Sequence, residues 1–108
     1  MKGISETAFS TQVEDLLKLF GWRWTHFRPA WSSKGWRTPI KGDKGFPDYC
    51  AVRNGICLFI ELKGEAGKLS PDQEEWAKEL QAIARNSLGI MYCLWTPSQI
   101  GEAIGVLK

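Results

Sequence analysis

The dipeptide Asn54-Gly55 constrains this chain most, because it separates two runs of β-forming residues, 48–53 and 56–63. Both central residues of a type I′ turn have positive φ, which Asn and Gly tolerate best, so Asn-Gly between two such runs indicates a hairpin with a two-residue loop. Pairing outward from this turn places Asp48 directly opposite Glu61.

This register brings two carboxylates together at the open end of the hairpin. Directly paired residues have Cβ atoms about 4.5–5.5 Å apart, and Lys63, two residues beyond Glu61, projects from the same face. Facing carboxylates repel each other unless a cation neutralises them, and Mg²⁺ or Mn²⁺ prefers oxygen ligands of this kind. A divalent cation beside an ammonium group meets the requirements of phosphodiester hydrolysis. The alternative is that Glu61 and Lys63 are solvent-facing strand ends and Asp48 is an ordinary turn acid.

The remaining pattern predicts an α/β fold. Apolar residues at helical spacing indicate a helix over 5–20 that ends at Gly21, and β-like runs indicate strands at 22–27 and 89–95. Helix-start signals occur at 70–73 (Ser-Pro-Asp-Gln) and 96–99 (Thr-Pro-Ser-Gln). The order helix, three strands, helix, strand, helix predicts one domain over 1–108. We expect an α/β sandwich whose central mixed sheet of about four strands is flanked by helices.

The apolar faces of these elements predict what is buried. Both faces of the hairpin are mainly apolar, so we expect both to be covered. Glu6 falls on the inward face of the first helix, and Glu14 lies at the edge of that face. The buried faces of the other two helices are expected to carry Trp76, Leu80 and Ile83, and Ile100, Ile104 and Leu107, respectively.

The segment 28–47 has little periodic signal and is predicted to be a long loop, which in a compact domain is usually functional or disordered. Between Trp22 and Pro47 there is one acid, Asp43, against six basic residues: Arg23, Arg28, Lys34, Arg37, Lys41 and Lys44. With tryptophans interleaved, such a segment can meet phosphates and stack on bases. The alternative is a solvated loop whose tryptophans pack on the domain.

Two other classes of protein are disfavoured. No apolar run reaches the roughly 18 residues of a transmembrane helix, and the first residues lack the apolar region of a signal peptide, so we expect a cytoplasmic protein with no membrane partner. Cys50, Cys57 and Cys93 form no C-x-x-C pair and lie in apolar runs. This favours reduced, buried thiols over a disulfide framework or a zinc site.

Three blocks, in order, resemble the VRR-Nuc branch of the PD-(D/E)xK nuclease superfamily. They are Gly45-Phe46-Pro47-Asp48, Phe59-Ile60-Glu61-Leu62-Lys63 and the segment 67–76 (GKLSPDQEEW), and the first helix is similar through Ser5-Glu6, Gln12-Val13 and Gly21-Trp22. The resemblance spans about 5–95. It implies a restriction-endonuclease-like fold that cuts DNA with Mg²⁺ or Mn²⁺. It also implies a homodimer, encoded by a virus or a bacterium, that acts on branched DNA including four-way Holliday junctions.

On the matching positions, the resemblance implies Asp48 and Glu61 as metal ligands, the Leu62 backbone carbonyl as a third, and Lys63 as the catalytic lysine. Glu6 would be a further acidic ligand, directly or through water. Its alternative role is a first-turn acid favoured by the helix dipole.

Other residues have weaker assignments. Gln73 would sit beside the site, or it only closes the capping box. His26, the only histidine, could contact a phosphate, act as a base or be structural. The candidate DNA contacts are Arg28, Lys34, Arg37, Lys41, Lys44, Lys68 and His26. The competing functions are a non-catalytic nucleic-acid-binding module on the same fold and an interaction protein that uses its tryptophans.

Overall fold

The computed structural model describes residues 4–27 and 41–108 and, for the backbone, 30–32 and 35–37. Through these residues the chain forms α1 (Glu6–Leu19), β1 (Arg23–His26), β2 (Ala30–Ser32), β3 (Gly35–Arg37), β4 (Tyr49–Arg53), β5 (Ile56–Leu62), α2 (Pro71–Arg85), β6 (Ile90–Trp95), a 3₁₀ turn (Pro97–Gln99) and α3 (Ile100–Leu107). The described strands β1, β4, β5 and β6 make one sheet in that order, parallel between β5 and β6 and antiparallel elsewhere. The predicted α/β class with a mixed sheet is confirmed.

The β4–β5 hairpin has the predicted turn. Asn54 has φ 48° and Gly55 has φ 81°, the two positive values that a type I′ loop requires. The pairing runs from Arg53 with Ile56 outward to Tyr49 with Ile60, as predicted. The ladder ends there, so the next step outward brings Asp48 level with Glu61.

Side-chain caps set the helix boundaries. The Ser5 hydroxyl accepts a hydrogen bond from the Ala8 N–H at 3.0 Å and starts α1. Gly21, with φ 76°, follows the last turn of α1 and redirects the chain into β1. Ser70 caps α2 in a capping box with Gln73. The third predicted start is a 3₁₀ turn, so α3 itself begins four residues after Thr96, at Ile100.

One face of the sheet is sealed. The inward side chains of β4 and β5 have no exposed surface and pack against the buried stripe of α1 and against α3: Tyr49, Ala51, Leu58 and Ile60 on the sheet, Phe9, Val13 and Leu17 on α1, and Ala103 and Leu107 on α3. Each large apolar side chain buried in this way contributes about 1.5–3 kcal/mol to stability. This core supports β4 and β5 and so holds the open end of the hairpin in place.

The other face is only partly covered, so the expectation of full cover on both faces is wrong. Val52 is 40% exposed, while Cys50 and Cys57 are half-buried with their free thiol Sγ atoms 3.9 Å apart. The reason is that α2 packs mainly beside β6 and leaves the turn end of the hairpin open. Cys93, on β6, is buried as expected.

Two helix positions also differ from the prediction. Ile83 on α2 is 48% exposed and Ile104 on α3 is 37% exposed. Ala77 and Leu80 form the buried stripe of α2. Helical spacing predicts a wide apolar face, but each helix contacts its neighbours through a narrower stripe.

The segment predicted to be a long loop contains the antiparallel pair β2–β3, with Ala30 paired to Arg37 and Ser32 to Gly35. Strands of three residues are too short to give a periodic signal, which is why the sequence did not predict them. Among the helices of the described ranges, none is long and apolar enough to cross a membrane.

Candidate functional site

The chain reaches Asp48 along a segment that is clamped against the start of α2. Gly45 has φ 97°, and a Cβ there would lie 2.6 Å from the backbone carbon of Asp72, so only glycine fits. Next to it, the Phe46 ring meets the Trp76 ring edge to face, with centroids 5.0 Å apart. The Trp76 indole N–H donates to the carbonyls of the two residues before Gly45, at 3.2 and 3.1 Å. These contacts fix where β4 begins.

Asp48 and Glu61 lie side by side at the open end of the hairpin. The Asp48 carboxylate accepts a hydrogen bond from the Leu62 backbone N–H at 3.0 Å, which ties the start of β4 to the end of β5. Glu61 is 2% exposed and is the buried charged residue of the described chain. The hairpin register predicted from Asn54-Gly55 therefore places Asp48 beside Glu61 as expected.

The surroundings of Glu61 disfavour its ionised form, which would place a second negative charge beside Asp48. Burial, reinforced by the charge of Asp48 and a hydrogen bond with it, raises the pKa of Glu61 to about 8, while Lys63 partly opposes this rise. Lys63 Nζ is 3.6 Å from Glu61 Oε2. Burial, followed by the charges of Glu61 and Asp48, also raises the pKa of the Tyr92 hydroxyl to about 12. Tyr92, paired with Phe59 on the neighbouring strand, lies near the carboxylate pair, and no sequence pattern indicated it.

Gln73 performs both of the roles that the sequence left open. Its side-chain carbonyl accepts from the Ser70 backbone N–H at 2.9 Å and closes the capping box. Its amide nitrogen donates to Glu61 Oε2 at 3.3 Å. The first turn of α2 is therefore hydrogen-bonded to the buried carboxylate.

A cleft of about 440 Å³ spans the end of the sheet. On the α2 side it is lined by Asp48, Glu61, Lys63 and Gln73, and on the α1 side by Glu6, Thr7, Ser10, Thr11, Glu14, His26 and Phe27. Glu6 is an exposed residue of the first turn that faces this cleft, whereas the sequence predicted that it points inward. Asp48, Glu61 and Lys63 therefore border the cleft, and Glu61 has the least exposed surface of the three.

The α1 side contains a cluster that the sequence did not predict. The Tyr49 hydroxyl donates to Glu14 Oε2, and the same oxygen lies 3.4 Å from His26 Nδ1. The His26 ring also stacks on the Tyr49 ring, with centroids 4.0 Å apart and planes 15° apart. Burial and the bond to Glu14 raise the pKa of Tyr49 above its ordinary value. The cluster joins α1, β1 and β4, so local patterns carried no signal for it.

Most of the candidate DNA contacts lie away from this cleft or outside the described residues. Arg28 and Lys34 lie outside the described residues, as does the side chain of Arg37. Lys41 and Lys68 are exposed, and neither lines the cleft. Lys44 is exposed and forms an ion pair with Asp72, Nζ to Oδ2 3.6 Å, beside α2. Of this set, the cleft contains only His26 among the described side chains.

The donors of the cleft suit a hard cation that keeps much of its water. Over the described ranges, no three His, Cys, Asp or Glu side chains are grouped closely enough to hold a metal ion by themselves. Mg²⁺ commonly takes only one or two carboxylates and completes its shell with water and phosphate oxygens. The Asp48–Glu61 pair fits that demand, because a cation would favour the ionised form of Glu61, whose pKa is raised first by burial and then by the charge of Asp48.

No family model matches the chain, and neither a curated protein nor a solved structure matches it. The VRR-Nuc resemblance therefore stays a prediction made from the sequence blocks.

Proposed function

We propose that this protein is a metal-dependent endonuclease that hydrolyses DNA phosphodiester bonds, with Mg²⁺ or Mn²⁺ as its cofactor. One observation carries the proposal. Two carboxyl groups, Asp48 and Glu61, adjoin Lys63 at the wall of an open cleft, and burial together with the charge of Asp48 raises the pKa of Glu61, so that its ionised form is favoured when a cation lies beside it.

In this proposal Asp48 and Glu61 hold the metal. The Leu62 carbonyl and, directly or through water, Glu6 complete the set of protein ligands. The bound cation supplies Lewis-acid polarisation of the phosphate and a more acidic water. Asp48 is oriented by the Leu62 N–H, at 3.0 Å, and Glu61 by the Gln73 amide, at 3.3 Å. These two hydrogen bonds hold the carboxylates in place, and fixed polar groups are the condition for effective electrostatic catalysis.

Lys63 is the catalytic lysine of this proposal. Its ammonium group, 3.6 Å from Glu61 Oε2, can donate to a non-bridging phosphate oxygen or to the attacking water. In the first role it stabilises the charge that grows on the phosphate in the transition state, and in the second it orients the nucleophile. Gln73 is a positioning residue, because it acts through Glu61.

We extend the proposal to the DNA and the assembly. A chain of 108 residues has a limited surface for gripping a duplex, so a two-fold homodimer that binds branched DNA, such as a four-way junction, suits its size. Arg28, Lys34, Arg37, Lys41, Lys44 and Lys68 would hold flanking phosphates. The place of action would be the cytoplasm of a bacterial cell, for a bacterial or a viral protein.

The test is cleavage of labelled linear, nicked and four-way-junction DNA with Mg²⁺, with Mn²⁺ and with a chelator. We expect cutting only with metal. Asp48→Asn and Lys63→Ala should each lower kcat by about 10²–10³-fold, the usual effect of removing one group that stabilises transition-state charge. Lys78→Ala is the matched control, since Lys78 is exposed on α2 and pairs only with Glu75 among the described residues.

Three outcomes would reject parts of the proposal. Undiminished cutting by Lys63→Ala would remove that lysine from the mechanism. Tight DNA binding by the wild type without cutting would favour a non-catalytic binding module. A monomer by analytical ultracentrifugation, both alone and on junction DNA, would reject the homodimer.

A further inference from the structure

The cleft extends well beyond the carboxylate pair. Along α1 its wall runs from Glu6 to Glu14, eight residues or about 12 Å of helix. Between these ends it is lined by Thr7, Ser10 and Thr11. A single phosphate bound near Lys63 would leave most of the α1 wall without a ligand. A longer piece of DNA strand would therefore occupy this wall as well.

A DNA strand that lies along this wall needs basic side chains to bind its phosphates, because two of the lining residues, Glu6 and Glu14, are acidic. Among the described residues that line the cleft, Lys63 and His26 are the basic ones. Lys63 is close to Glu61. His26 is therefore the remaining basic group that can meet a phosphate on the α1 side.

The His26 ring is held by two neighbours at once. Tyr49, its paired residue on β4, stacks on the ring face, and Glu14 lies 3.4 Å from Nδ1. In its imidazolium form the ring donates from both nitrogens, so Nε2 can donate to a phosphate while Nδ1 faces Glu14. Tyr49 in turn donates its hydroxyl to the same Glu14 oxygen, which fixes that carboxylate. Three elements thus restrain one imidazole at the wall of the cleft.

We propose that His26 binds a DNA phosphate that flanks the scissile one, and that Glu14 and Tyr49 are the positioning residues that aim its ring. The proposal rests on the nuclease function proposed above, and it defines the path of the strand as running from Lys63 across the end of the sheet to α1. His26 is a substrate-binding residue in this scheme and takes no part in bond breaking.

The experiment combines His26→Ala with DNA whose phosphates are replaced, one at a time, by neutral methylphosphonates. Initial rates with Mg²⁺ and the junction DNA give kcat and KM, and fluorescence anisotropy with Ca²⁺ in place of Mg²⁺ gives Kd. We expect His26→Ala to raise KM and Kd about tenfold, the loss of one hydrogen bond to a charged group, with kcat nearly unchanged. In the wild type, one methylphosphonate beside the cut site should weaken binding similarly, and in His26→Ala that substitution should have no further effect.

The positioning residues are tested by variants that keep their shape. Tyr49→Phe keeps the stacked ring but loses the hydroxyl, and Glu14→Gln keeps the size of the side chain but loses its charge. Each should raise KM by a few-fold without changing kcat. Thr25→Ala, on the exposed other face of β1, and Asp15→Asn, exposed on α1, are the matched controls and should behave as wild type.

The outcomes separate this inference from the proposed function. If the wild type cuts DNA and His26→Ala has the wild-type KM, Kd and methylphosphonate profile, the inference is overturned and the nuclease stands. If the wild type binds DNA without cutting, the anisotropy arm still tests His26. If the wild type neither binds nor cuts, both proposals are overturned. A loss of thermal stability in His26→Ala with an unchanged methylphosphonate profile would show a purely structural histidine.

Discussion

The two ends of the β4–β5 hairpin differ in the partners of their charged side chains. At the turn end, Arg53 donates to the carbonyls of Phe20 and Leu107, both at 2.9 Å, and its guanidinium lies 4.4 Å from the centroid of the Trp22 ring. That positive charge is met by oxygen atoms and an aromatic face. At the open end, two carboxylates face each other beside one lysine.

This difference separates stability from function within one supersecondary unit. At the turn end, the hydrogen-bonded Arg53 guanidinium connects the hairpin to the ends of α1 and α3 and stabilises the fold. At the open end, ionisation of Glu61 beside Asp48 destabilises the folded protein, and under the proposed function a bound cation would offset that cost. Substitutions at the two ends should therefore change different measured quantities.

The largest expected effect is at the open end. Glu61→Gln removes one negative charge while it keeps the shape of the side chain, so the metal loses a charged ligand. We expect the cleavage rate to fall by about 10³-fold, several kcal/mol of transition-state stabilisation. Plasmid nicking with Mn²⁺ measures it, and Glu79→Gln, exposed on α2, is the control. A cleavage rate near that of wild type would break the contrast between the two ends.

The pH dependence of stability sharpens the same contrast. Glu61 has a pKa of about 8 in the folded protein against 4.5 when solvated, so it binds its proton more tightly when folded. Its stabilising contribution is complete below pH 4.5 and is lost as the pH rises to about 8. Chemical unfolding of the metal-free protein should show a decline of a few kcal/mol across this window. Glu61→Gln should flatten that decline, and an equally steep decline in this variant would point to another group.

The smallest expected effect is at the turn end. Arg53→Ala leaves the carbonyls of Phe20, Leu107 and Lys108 without their charged donor and removes the contact with Trp22, so we expect a loss of about 2 kcal/mol in the free energy of unfolding. Urea denaturation measures this loss. Cleavage at a temperature where the variant is folded should match the wild type, and Arg23→Ala, exposed on β1, is the control. A selective loss of kcat in Arg53→Ala would show that the two ends are coupled.

The sequence predicted the parts of the fold that local chemistry decides. Asn54-Gly55 predicted the register of the hairpin, and with it the proximity of Asp48 and Glu61, because between two strands that dipeptide strongly favours the two-residue type I′ turn. The capping residues at Ser5 and Ser70 likewise start helices where predicted. Short-range hydrogen bonds determine all of these features, so a short stretch of chain contains the information.

What the sequence did not predict depends on how distant elements pack. Glu14, His26 and Tyr49 meet only because α1 lies across β1 and β4, and nothing in their own neighbourhoods indicates this contact. The exposure of Ile83 and Ile104 depends in the same way on which neighbour covers each helix. The second role of Gln73 was predicted from family resemblance, since the capping box alone accounts for the residue locally.

The clamp at Gly45 anchors the chain just before the open end of the hairpin, in addition to the hydrogen bond that the Phe27 N–H donates to the Asp48 carbonyl at 2.8 Å. Gly45 abuts Asp72, and the Trp76 indole holds the two preceding carbonyls, so the chain is anchored one short step ahead of Asp48. We therefore expect changes confined to residues 28–42 to leave Asp48 and Glu61 in place. Under the proposed function, that stretch is where new DNA preferences could be engineered.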